Sequence, residues 1–109
     1  MPVHVVKLTD LDPHWLPDPE TLGGRHAMGI GFLCPVHGDH RVWLYFHEPL
    51  DGGKPEPAVF LHAVENASDN GSAFDLISIV SPYGESTPLH WVCGARFWIA
   101  GGEVQLRSP

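Results

Sequence analysis

Glycine or proline interrupts this chain so often that no amphipathic stretch of helical period runs for three turns: twelve glycines and eleven prolines are spread over 109 residues. Long helices are thereby excluded, and short strands joined by turns remain. The sequence reads as mainly β, with a small α+β arrangement as the alternative, in one domain over residues 1–109. A chain of this length buries roughly two-thirds of its unfolded surface, enough for one core but small enough to gain from a staple.

"VHVVKL" (Val3 to Leu8) opens as a strand, and "TDLDPHWLPDPETLGGRH" follows as a long loop with one short helical turn near "PDPETL". "MGIGFL" (Met28 to Leu33) and "RVWLYFH" (Arg41 to His47) flank "CPVHG" and read as a hairpin with that cysteine and histidine turn at its tip. Val42, Leu44 and Phe46 then share one face of the second strand, with Trp43, Tyr45 and His47 on the other. "AVFLHAV" and "AFDLISIV" are two further strands, and "RFWIAGGEVQL" is a second hairpin in which Gly101 and Gly102 supply positive φ. The expected core is Phe32, Leu44, Phe46, Leu76, Ile77, Ile79, Trp91, Phe97 and Ile99.

The two cysteines lie in stretches that mirror each other. In "CPVHG" Cys34 precedes His37 by three residues; in "HWVCG" His90 precedes Cys93 by three; glycine follows each, at Gly38 and Gly94. Residues i and i+3 of a straight strand point to opposite faces, so each pair meets one ion only from a turn. Glycine after the second ligand can take the positive φ that such a turn requires. Cys34, His37, His90 and Cys93 together offer two sulfur and two nitrogen donors, a set suited to tetrahedral zinc and to a staple between hairpins. His40, in "GDH", can take the place of His37. A Cys34–Cys93 disulfide would use the same proximity, but a reducing compartment disfavours it. His47 and His62 read as packing or surface residues, and His4, His14 and His26 have no ligand-like spacing.

Charge and terminus narrow the setting. Thirteen acidic against six basic side chains give a formal charge of -7, and the bases are scattered, so nucleic acid would be repelled and a basic protein partner favoured. No apolar run approaches the ~20 residues of a membrane span. "MPVHVVKLTD" has no signal-peptide pattern, which points to the cytoplasm.

"MGIGFLCP", "WLYFHEPLDGG", "FDLISIVSP" and "FWIAGGEV" resemble a family of small phage and bacterial proteins filed as domain of unknown function 6527, over about residues 28–104. The resemblance implies a small β-rich fold with a bound zinc and no established reaction. The chain departs from the family pattern at "VCGARFWI", where Cys93 stands near a position that relatives fill with histidine.

Two functions are consistent with these features. One is a zinc-stapled binding or accessory protein without catalysis. The other is a metal-dependent hydrolase with an open zinc position, for which Asp39 and Glu48 are the nearest acidic residues in sequence. No H-E-x-x-H, G-x-S-x-G, phosphate-loop or dinucleotide pattern occurs.

Overall fold

The computed structural model describes residues 3–16, 27–55, 57, 60–66 and 74–107. Among them are nine strands: β1 (Val3–Lys7), β2 (His14–Leu16), β3 (Gly29–Leu33), β4 (Arg41–Tyr45), β5 (Ala63–Glu65), β6 (Ser78–Val80), β7 (Leu89–His90), β8 (Arg96–Ala100) and β9 (Glu103–Arg107). One 3₁₀ turn, Leu8–Leu11, follows β1. The protein is mainly β, as its sequence implies. The helical turn expected near residues 17–22 and His26 lie outside the described residues.

The strands form two antiparallel sheets. The smaller runs β2-β3-β4 and the larger β1-β9-β8-β6-β5, with β7 lying against β8. In the β3–β4 hairpin Ile30 faces Leu44 and Leu33 faces Arg41. Alternation fixes the faces: Val42 and Leu44 are buried while Trp43 is exposed. Gly29 is required because a Cβ there would collide with the Leu44 backbone. In the β8–β9 hairpin Phe97 and Ile99 point inward, and Gly101 and Gly102 turn the chain with φ of 58° and 77°. The carbonyl of Ile77 accepts a hydrogen bond from the Gly102 N–H, at 2.8 Å, tying this turn to the chain entering β6.

One apolar cluster fills the space between the sheets. Phe32 of the smaller sheet meets Phe97 of the larger edge to face, with centroids 5.8 Å apart. Each fully buried side chain of this kind contributes about 2–3 kcal/mol. Seven of the nine expected core residues are buried; Trp91 is partly buried, and Leu76 is 60% exposed. Leu76 faces outward because residues 74–76 form a turn and β6 begins only at Ser78. Trp15 was not expected in the core. Its strand β2 lies within the proline-rich segment read as a loop, yet the ring is buried, stacked on Phe74 and edge-on to Phe46.

The sheets are joined where the chain enters β5. His62 and Phe46 form a parallel bridge, the His62 N–H donating to the Tyr45 carbonyl and the His47 N–H to the His62 carbonyl, both at 2.9 Å. No helix among the described residues is long and apolar enough to cross a membrane.

Candidate metal centre

The register of the first hairpin decides what its tip presents. Continuing the Phe32–Val42 and Leu33–Arg41 pairs by one residue sets Cys34 opposite His40, and the Cys34 N–H donates to the His40 carbonyl at 2.8 Å. Inside this neck the chain closes a tighter turn. The Gly38 N–H reaches the Cys34 carbonyl at 2.9 Å, with Gly38 at φ 72°. No heavy atom lies within 4 Å of a Cβ built at Gly38, so glycine serves the backbone angle there and not the space. The His37 N–H points at Cys34 Sγ, 3.5 Å away. The base of the turn is braced by Arg41, whose guanidinium donates to the Asp12 carboxylate at 3.1 Å and to the Asp12 carbonyl at 2.6 Å.

The second turn is smaller. The Trp91 N–H donates to the Ala95 carbonyl and the Gly94 N–H to the Trp91 carbonyl, so the turn spans 91–95 with Gly94 at φ 93°. Cys93 sits at its tip. His90 stands before the turn, on β7, cross-strand from Arg96.

Four side chains converge where the two tips meet: the donor atoms of Cys34, His37, His40 and Cys93 lie within 4.8 Å of one another. Cys34 Sγ is 3.8 Å from Cys93 Sγ and 3.5 Å from His37 Nδ1. A tetrahedral zinc with sulfur at ~2.3 Å and nitrogen at ~2.05 Å would place sulfur about 3.8 Å from sulfur and about 3.5 Å from nitrogen. The protein holds these spacings, and both cysteines are free thiols.

His40 adds a second feature to a group that could hold an ion. Its Nδ1 is bonded to Asp39 Oδ1 at 2.7 Å, while its Nε2 is buried with no hydrogen-bond partner among the described residues. A buried ring nitrogen without a partner is costly unless something binds it. A carboxylate on the far nitrogen is the arrangement that orients and strengthens a histidine ligand. The His40 hydrogen bond holds the Asp39 carboxyl below its usual range. At Cys34, burial pushes the thiol up. The N–H groups of His37 and Val36, with the His37 and Cys93 side chains, outweigh it and leave the thiol below its ordinary value.

The structure therefore gathers Cys34, His37 and Cys93 of the expected set and places His40 where His90 was expected. The difference has a plain cause. His90 precedes its turn and lies exposed on β7, whereas Cys93, three residues on, occupies the tip. His40 was named as a substitute for His37, yet both belong to the group. The signal that finds it is the hairpin register, since the partner of Cys34 is fixed once Leu33 is paired with Arg41. Asp39, read as a base in the hydrolytic alternative, is engaged by His40; Glu48 is exposed. His62 is buried in the joint between the sheets, and His47 is exposed.

Comparison of the chain with protein-family models, with curated proteins and with solved structures returned no match.

Proposed function

We propose that this chain is a small zinc-stapled β protein with a binding or accessory role and no catalysis of its own. The observation that carries the reading is the buried Nε2 of His40, which has no partner among the described residues, is backed by Asp39 and belongs to a group with two free thiols and His37. Two sulfurs and two imidazoles suit zinc over harder cations, and the sulfur spacing agrees with a tetrahedral ion. Four protein donors close the ion's coordination, whereas a catalytic zinc keeps a position for water. The staple joins the tip of one sheet to the tip of the other across 59 residues of chain, so metal binding is folding energy.

A reducing cytoplasm, where both thiols stay free, fits this role. The net charge of -7 favours a basic protein partner over nucleic acid. Kinship with domain of unknown function 6527 and a phage or bacterial origin belong to the same proposal and rest on the sequence stretches that suggest them.

Metal analysis of the purified protein, with melting curves before and after chelation, tests the proposal. About one zinc per chain and a much lower melting temperature after chelation are expected. A protein that stays folded after chelation and loses a hydrolytic activity would overturn it in favour of the open-site enzyme.

A further inference from the structure

Apart from the thiol cluster, the protein carries a groove of about 730 Å³ whose wall is mostly apolar. Four of the seven large apolar side chains exposed among the described residues line it: Trp43, Phe60, Tyr83 and Val92. Trp43 and Tyr83 are 51% and 69% exposed, far more than a core-facing ring would be. Trp43 meets Trp91 edge to face at 6.1 Å, and Phe60 pairs with Tyr83 at 5.7 Å. Exposed aromatic surface gathered in one concavity marks a binding site, and the volume is that of a small-molecule pocket.

The charge of the groove opposes that of the chain. The protein has a net charge of -7, yet among the described residues no Asp or Glu lines the groove, and the one permanently charged residue among them is Arg96. The Arg96 side chain makes no ion pair or hydrogen bond with the described residues. It stands cross-strand from His90, so both side chains leave the same face of the β7–β8 pair, and both line the groove. A guanidinium beside aromatic faces recognises an anion carried on an apolar body.

We propose that this groove binds a small molecule with a flat aromatic body and a single anionic group, an aromatic carboxylate or sulfonate. The rings of Trp43, Trp91, Phe60 and Tyr83 take the body, and Arg96 takes the anion, with His90 beside it. The site does not depend on the metal reading, although Trp91 and Val92 lead directly into Cys93.

The probe is anilinonaphthalene sulfonate, followed by its fluorescence on excitation of tryptophan in the purified full chain. Its neutral counterpart is phenylnaphthylamine, the same ring system without the sulfonate. Saturable binding of one sulfonate per chain is expected. Arg96→Gln should weaken it about tenfold while changing phenylnaphthylamine binding less than about twofold. Trp43→Ala should weaken both probes about tenfold. Tyr83→Ser, at a more exposed position, provides a second wall variant, and near-ultraviolet circular dichroism establishes that each variant is folded. Absence of saturable binding to the folded protein would overturn the proposal, as would equal loss of both probes in Arg96→Gln. Displacement of the sulfonate by a peptide with a C-terminal aromatic residue at lower concentration than by naphthoate would assign the groove to protein chains and overturn it too.

Discussion

The turns at Cys34–His40 and His90–Gly94 share one spacing of cysteine, histidine and glycine, but the first contributes three donors to the thiol cluster and the second contributes one. The difference lies in where each residue stands relative to the neck of its hairpin. In the first, Cys34 and His40 face each other across the neck and His37 lies inside it, braced by Arg41 on Asp12. In the second, the neck closes at Trp91 and Ala95, after His90, which leaves Cys93 as the donor and turns His90 toward the groove. Spacing selects residue types able to bind an ion, and hairpin register selects which of them reach it.

The sharpest way to break the comparison is to remove the anchor of each turn. Cys34 is buried in the core cluster as well as facing the other donors, so Cys34→Ser places a hydroxyl in an apolar site and dismantles the centre. A loss of about 4 kcal/mol or more in chemical denaturation is expected. Cys93→Ser removes the second turn's one donor but leaves three on the first turn. It should cost less, about 2–3 kcal/mol, and retain zinc at lower affinity. The double variant should be little worse than Cys34→Ser alone, because both substitutions break one clamp.

Within the first turn, Asp39→Asn weakens the partner that orients His40. Zinc affinity should fall about 10–100-fold in competition with a chromophoric chelator, while the melting temperature at saturating zinc changes little. The brace at its base gives a smaller, pH-dependent effect. Arg41, followed by His14, holds the Asp12 carboxyl below its usual value of 3.8. A group depressed in the folded state contributes stability that is present above the unfolded value and lost as pH falls through the folded one. The difference in melting temperature between the protein and Asp12→Asn should therefore be present above the unfolded carboxyl value and shrink below about pH 4. Asp12 is exposed, so the difference itself is small.

The hairpins were legible in the sequence because their signals are local: period-two alternation in "RVWLYF" and the paired glycines after "FWIA". β2 was not legible, since three residues beside Pro13 carry no periodicity, and what makes them a strand is pairing with Gly29–Gly31. Leu76 was misplaced for a related reason. "FDLISIV" is apolar enough to be strand throughout, but its first part is spent on a turn against which Gly102 packs so closely that a Cβ would strike Asp75. Cys34, His37 and Cys93 could be found by spacing, while His40 required the register. The aromatic groove was not legible at all, because Trp43, Phe60, Tyr83 and Trp91 come from four separate segments and only tertiary packing gathers them.

The central claim, that a zinc held by Cys34, His37, His40 and Cys93 clamps the two sheets together, is tested most directly by X-ray absorption at the zinc edge, recorded on the purified protein and on His40→Ala and His90→Ala. The account predicts one zinc with two sulfur neighbours near ~2.3 Å and two nitrogens near ~2.0 Å, unchanged in His90→Ala and short of one nitrogen in His40→Ala. Loss of a nitrogen neighbour in His90→Ala with His40→Ala unaffected, or a folded protein with no zinc, would contradict it.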